Sequence, residues 1–586
     1  MSIGSIADRW VCAFGLFILV WVVSRFVALR LDLEGLGNTT AAAIAVAFSL
    51  LLLSKRAHIA FSWRPLAPLA AIVAGAGLLI FGVFYSGYTL PSHDPIAIPV
   101  LARSIVEGRL PLTAYEQGSS AFSYPPGLPI LLAMVAGWLD PIDRLLVFKV
   151  IVLSAVTMVP ANWAWMHLRL FPLRISSPIL LTISYFVFFG IERTLGFAVP
   201  FAGKSAILFG LWLAPIVAVL CVWLSMHPLG WILGAVALFG LTLVHYSLLH
   251  LMAALLGAYA LVGLIGHTIR WQQVLSIILM GALSALLTLL LLSEALIDPR
   301  AGDFSFKFNG LISVIETIVA RHSFMVIYTD AGFGILGFIY RGPALCLAIL
   351  FSLTVARLLG DKSIRDATCT YGVAVVIALL FGFSVVPVGI TLDFMRWFLW
   401  APQAAILLTA SCSVWCLMSH LDGRPRLAIQ SAAAICVVAA AGTVAVDAAV
   451  FSRVNREQAL ARNELSAIRD VLRLPAGVNC LLIGDSSQMA SGQVTAQKSK
   501  LLDYAEAVTS CRYLNGSWVH PGTPGGRALN GFPSPEVLGT ALAGSTVFFF
   551  GNRKSEYEDD LRHAGMETRW ALVGYLGGEI VWRVGT

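Results

Sequence analysis

Charge is scarce in this chain: Asp, Glu, Lys and Arg make up 12% of its 586 residues, against a hydrophobic share of 58%. A soluble domain carries about twice that charge, so a water-soluble enzyme is excluded and a chain spending most of its length in lipid is implied. No basic run occurs, and a net charge of +7 is scattered over loops, which argues against nucleic acid as a partner. Cysteine is sparse. Of nine, only Cys480 and Cys511 lie in the polar C-terminal region, and no metal-ligand spacing appears. The run 10–29 has no small-residue cleavage site and is long enough to span, so it is expected to stay as a membrane helix and not to be removed as a leader.

What is present is a series of apolar runs and a mean hydropathy of +0.83. Candidate spans fall at 10–30, 39–54, 66–86, 145–166, 178–190, 205–226, 229–244, 248–268, 273–293, 331–357, 369–391, 397–418 and 427–450, with a further short piece at 126–139. Arg9, then Lys55, Arg56 and Arg64, then Arg169 and Arg174, Arg270, then Arg357, Lys362 and Arg365, and finally Arg424 and Arg426 mark one side. This positive-inside pattern holds if one of the two short pieces, 126–139 or 178–190, does not cross, and 126–139 is the one chosen. About 13 crossings then put the N-terminus inside and the C-terminus outside.

On the outer side fall a loop within 85–129, a long segment 294–330 and everything after Phe451. In the first, Asp94 precedes Pro95, and Ala97, Val100, Leu101, Ser104 and Ile105 share one face of an amphipathic segment. Arg103 and Glu107 stand one turn apart on the other face. Such a helix is expected to lie along the bilayer interface. The loop closes on Tyr124-Pro125-Pro126-Gly127. As an isolated dipeptide Asp94-Pro95 is a good helix N-cap with no catalytic role; its setting favours chemistry. The segment 294–330 has a surface helix expected at 311–320 and is too long for a plain connector.

From Arg453 polar residues, Gly and Pro rise and no run could cross a bilayer. Helices are expected at 456–473 and 556–564 and strands at 479–483, 546–550 and 580–584, giving a soluble α/β domain of about 130 residues. Cys480 and Cys511 form either a disulfide or two buried thiols. Gly484-Asp485-Ser486-Ser487 reads as a turn and helix cap. The expected organisation is two membrane helices in 1–64, a helical core over 65–452 with external loops 87–125 and 294–330, and the α/β domain over 453–586.

An external Asp after an early membrane helix, an interfacial amphipathic helix, a Tyr-Pro-Pro re-entry, many further helices and a C-terminal external domain together resemble the GT-C superfamily of polyprenyl-phosphate-sugar-dependent glycosyltransferases. Its members include bacterial arabinosyl-, mannosyl- and aminoarabinosyltransferases. The motifs lie within 89–129, and the likeness in hydropathy and topology extends over about 66 to 450. The resemblance implies that Asp94 is a general base taking a proton from the acceptor hydroxyl as it attacks the anomeric carbon. One carboxylate suffices for this inverting step, because the phosphate leaves already charged.

The resemblance also implies surface cations that stabilise that phosphate. Arg396 leads them, with His93, Lys204, Arg193 and His322 as further candidates. The plain alternative for Arg396 is snorkelling beside Trp397 and Phe398. Glu192, His245, Tyr246 and Tyr124 are candidate substrate contacts, although Glu192–Arg193 also reads as a structural ion pair and His245 as a packing residue. No dedicated metal cage is visible. Some relatives use a divalent cation, and Asp94 with Glu192 is the one pairing to test.

The function implied is sugar transfer from a polyprenyl-phosphate donor to a cell-envelope glycan or glycolipid on the outer face of a bacterial-type inner membrane. Two rivals stand beside it. A lipid-linked oligosaccharide polymerase or ligase would place several arginines in one large external loop, where 294–330 has Arg300 and Arg321. A transporter would place charges at mid-membrane in repeated helices, which Arg341 alone suggests.

Overall fold

A chain this apolar must satisfy its backbone N–H and C=O groups internally wherever water is excluded, which leaves helices as the economical solution. The computed structural model describes residues 6–31, 33, 38–53, 67–91, 97–108, 110, 125–173, 175–191, 205–246, 248–296, 335–382, 392–474, 478–484, 504–509, 511–513, 528–529, 532–551, 553–576 and 579–585. Among these, seven helices are long and apolar enough to cross a membrane, and several apolar helices are shorter. The protein is polytopic and helical, with one small sheet domain.

In order the helices are α1 (Ile6–Arg30), α2 (Asn38–Leu53), α3 (Ala67–Val83), α4 (Ala97–Val106), α5 (Gly127–Ala136), α6 (Pro141–Leu170) and α7 (Ser177–Phe186), the last running into a π turn at Val187–Ile191. There follow α8 (Ser205–Leu224), α9 (Gly230–Val244), α10 (Leu248–Ile265), α11 (Trp271–Leu296), α12 (Ile335–Leu359), α13 (Lys362–Gly382), α14 (Leu392–His420) and α15 (Arg424–Gln458). The C-terminal part adds α16 (Arg462–Val471), β1 (Cys480–Gly484), β2 (Cys511–Tyr513), β3 (Ala528–Leu529), β4 (Phe532–Pro533), α17 (Pro535–Gly544), β5 (Thr546–Phe550), α18 (Lys554–His563), β6 (Arg569–Leu576) and β7 (Glu579–Gly585). The expected surface helix at 311–320 lies outside the described residues.

Two compact units result: Met1–Tyr85 with Ile151–Leu291 and Phe304–Arg453, and Ser86–Val150 with Leu292–Asp303 and Val454–Thr586. In the first, small residues let helices approach closely. A Cβ on Gly240 of α9 would meet Leu19 Cβ of α1 at 3.0 Å, and one on Gly15 would meet Ile216 of α8 at 2.6 Å. Pro160 lies within α6, and α7 bonds to that turn: Ser184 donates to the Pro160 carbonyl at 2.7 Å and Tyr185 to the Thr157 carbonyl at 2.7 Å. At the end of α6, Arg169 pairs with the buried Asp8 of α1 at 2.7 Å, and Trp165 Nε1–H donates to the same carboxylate at 2.8 Å. A buried charge needs such partners.

In the second unit the sheet order is β2-β1-β5-β7-β6, with β1 parallel to β2 and β5, and β7 antiparallel to β5 and β6. Alternation along the strands makes two apolar faces. Leu481, Ile483, Val547 and Phe549 pack on α17 and α18 through Leu538, Tyr557 and Leu561. Cys480, Leu482, Phe548, Phe550 and Val581 pack on α16 and the helical turn 504–508. This second core also takes in Val100 of α4 and Ile142 and Leu145 of α6. Burying each such side chain contributes about 1.5–3 kcal/mol. Segment 86–150 therefore belongs to the same compact unit as the C-terminal sheet.

Cys480 and Cys511 sit opposite each other on β1 and β2, with Cα atoms 4.3 Å apart, and form a disulfide. Of the two readings the sequence left open, the bridge is the one the strand pairing produces.

Candidate functional site

The segment that carries Asp94 leaves α3 through Ser86 and Gly87, and both are held by buried polar side chains. Lys149, near the start of α6, donates to the Ser86 carbonyl at 2.7 Å and to the Gly87 carbonyl at 3.1 Å. Asn455, near the end of α15, donates to Ser86 Oγ at 2.8 Å. Gly87 has φ +70°, and a Cβ there would lie 2.7 Å from Ala459 Cβ and 2.8 Å from the Leu460 carbonyl oxygen. Only glycine meets both demands. Beyond it the Tyr88 N–H donates to the Leu460 carbonyl at 2.7 Å, and the Leu460 N–H donates back to Thr89 Oγ1 at 2.9 Å.

On the far side of Asp94, α4 is fixed as firmly. Val100, Leu101 and Ile105 of the expected face are buried and Ser104 is half-buried, while Ile98 and Ala102, which the expected face did not include, are buried as well; the burial is against protein. Arg103 makes the expected pair with Glu107 at 3.0 Å. Its guanidinium does more: it donates to the carbonyls of Glu506 at 2.7 Å, Thr509 and Cys511 at 3.5 Å. These groups end the 504–508 turn and begin β2, and carbonyls at the C-terminal end of a helical turn favour a cation.

The corner between α5 and α6 follows the same rule. Arg144 donates to the carbonyls of Ala136 at 3.3 Å and Gly137 at 3.1 Å, covering the end of α5. Arg469 of α16 pairs with Asp140 at 2.6 Å, and Arg462 with Asp143 at 3.3 Å. The Asp140 carboxyl lies below its usual range. Partial burial works against this, but the Ile142 N–H and the Arg469 guanidinium outweigh it. Arg462 also lies 5.8 Å over the Tyr88 ring.

Asp94, His93, Tyr124, Glu192, Arg193, Lys204 and His322 lie outside the described residues, as do Asp485 to Ser487. Arg396 lies on α14, with its side chain outside the described set. His245 and Tyr246 come together in the link between α9 and α10. His245 is buried and caps α9, its N–H donating to the Leu241 carbonyl at 3.2 Å. Among the described residues no three His, Cys, Asp or Glu side chains gather as a metal site; Asp94 and Glu192, the pairing offered for a divalent cation, are outside them.

Lys149, Arg144 and Asn455 escape sequence reasoning as anchors. A lysine or arginine within an otherwise apolar helix is expensive unless partnered, and that cost is the signal that could have found two of them. No family model matches this chain, and no curated protein does.

Proposed function

We propose that the protein is an integral membrane glycosyltransferase that moves a sugar from a polyprenyl-phosphate donor to a cell-envelope glycan or glycolipid. Asp94 takes the proton of the acceptor hydroxyl, the hydroxyl oxygen bonds to the anomeric carbon, and the bond from that carbon to the phosphate oxygen breaks with inversion. Polyprenyl phosphate leaves, its charge met by Arg396, His93, Lys204, Arg193 and His322. Glu192, His245, Tyr246 and Tyr124 contact the substrates.

The observation that carries this reading is that the described chain on both sides of Asp94 is pinned within one unit that also holds a disulfide-bonded domain. A disulfide belongs to an oxidising compartment, which supports an extracytoplasmic site at the outer face of a bacterial-type membrane. Chain geometry supports the same topology. Lys149 of α6 bonds to Ser86, just past α3, which supports a chain between them without a net crossing. The ten residues of α5 would reach only about 15 Å, half of what a span needs. Asp8 brings the start of α1 to the end of α6, which supports an odd number of crossings over α1 to α3. About 13 crossings satisfy both contacts and the alternation of basic loops.

The test is transfer by the purified full chain from a radiolabelled polyprenyl-phosphate sugar. Asp94→Asn is expected to abolish turnover with the unfolding profile unchanged. Wild-type turnover in that variant would remove Asp94 from the mechanism.

A further inference from the structure

We infer that Arg103 is a positioning residue for the proposed transfer, joining the helix that follows Asp94 to the disulfide-bonded edge of the C-terminal sheet. This rests on the glycosyltransferase reading and gives the C-terminal domain a task within it: to hold the catalytic loop.

Three observations meet at this side chain. Arg103 is largely covered, with 14% of its side chain exposed, and its Nε and Nη1 donors are committed to protein. Its acceptors are the carbonyls of Glu506, Thr509 and Cys511, which close one turn of helix and open β2. Cys511 is bonded in turn to Cys480 of β1. β2 is the outermost strand on that side of the sheet and is only three residues long. Its ladder with β1 is short, and the disulfide is the covalent part of that attachment.

Beside the Arg103 bonds, α4 is held by apolar burial of Ile98, Val100, Leu101, Ala102 and Ile105. Val100 enters the core beneath, Val106 lies against Gly137, and the Arg103–Glu107 pair runs within the helix. A charged donor shared among main-chain carbonyls is worth about twice a neutral bond, and its loss removes all of these bonds together. Opening the bridge would free the strand that presents those carbonyls. In that step a dithiol reagent gives two electrons and two protons to the Cys480–Cys511 bond, yielding two thiols and the cyclic disulfide of the reagent.

The test uses the full chain in nanodiscs and reads amide hydrogen exchange of α4 alongside transfer kinetics. Arg103→Gln is expected to raise α4 exchange about tenfold or more and to lower kcat by a similar factor, with KM for donor and acceptor unchanged. Arg103→Lys keeps a cation with three donors and is expected to restore both. Dithiol treatment of the wild type should raise α4 exchange in the same way, and should add little in Arg103→Gln. That arm needs no variant to fold.

Unchanged α4 exchange in both Arg103→Gln and the reduced wild type overturns the inference. So does a rise in acceptor KM with kcat intact, which would make the domain an acceptor-binding module. A wild type without turnover overturns the sugar-transfer reading and the catalytic half of this inference, while the exchange result still decides whether Arg103 joins helix to sheet.

Discussion

Gly87→Ala probes the seat of the loop at its narrowest point. Two costs add there. An alanine held at φ +70° loses about 1–2 kcal/mol to the left-handed conformation, offset in part by the lower chain entropy of the unfolded state. The new Cβ would also stand 2.7 Å from Ala459 Cβ, 2.8 Å from the Leu460 carbonyl oxygen and 3.0 Å from the Ala459 carbonyl carbon. Two of these neighbours are backbone atoms and cannot rotate away, so the overlap costs about 1–3 kcal/mol more. Relief by moving the chain breaks the paired bonds among Tyr88, Leu460 and Thr89.

Gly108 supplies the comparison, with φ +81° and nothing within 4 Å of its Cβ. Gly108→Ala meets the first cost alone. Thermal unfolding followed by tryptophan fluorescence at one scan rate should place Gly87→Ala well below Gly108→Ala, with Gly108→Ala modestly below wild type. Amide exchange at Tyr88 and Leu460 should quicken only in Gly87→Ala. Equal midpoints and equal exchange in the two variants would refute the close approach of this segment to Leu460.

Two further outcomes follow from the same unit. Replacing Cys480 and Cys511 together by Ser opens a loop with a sequence separation of 31; loop-closure entropy makes the loss roughly 3.7 kcal/mol, seen as earlier unfolding of the C-terminal domain. A separate unfolding step that does not move would contradict it. For Asp140 the folded-state pKa is depressed from its ordinary 3.8, so its pairing with Arg469 contributes stability above that value, lost as pH falls through the lower folded one. Protease resistance of the α5–α6 corner, followed from pH 5 downward, should fall in wild type and change less in Asp140→Asn. Identical acid profiles would show that the pair contributes nothing.

The helices were legible because apolar runs leave the backbone little choice: each expected span overlaps a helix, and seven helices among the described residues are long and apolar enough to cross a membrane. Their ends were not. The expected span 145–166 is α6, Pro141–Leu170, extended by turns bearing Arg144 at one end and Arg169 at the other. Those cations lower the hydropathy of a window, yet each has a partner in the fold. The expected helix 456–473 instead breaks between Gln458 and Arg462, where Leu460 turns aside to pair with Tyr88 and Thr89.

In the C-terminal domain the buried strands stood out, at 546–550 to the residue. β2 was missed because three residues carry no period, and β6 because its exposed edge positions Leu572, Val573 and Tyr575 blur the alternation. The Arg103–Glu107 pair was local and readable. The destination of the same guanidinium, about four hundred residues along the chain, leaves no trace in local spacing; it depends on which strand ends beside α4. Asp94 was singled out by its setting, and the structure adds the anchoring of the described chain on either side.

The most direct measurement is an electron cryo-microscopy map of the protein in nanodiscs with a bound polyprenyl-phosphate sugar. The account predicts the anomeric carbon facing the Asp94 carboxylate, with the phosphate among Arg396 and its fellow cations at the outer face. A donor bound at the opposite face, or an Asp94 side chain walled off from the sugar, would contradict it.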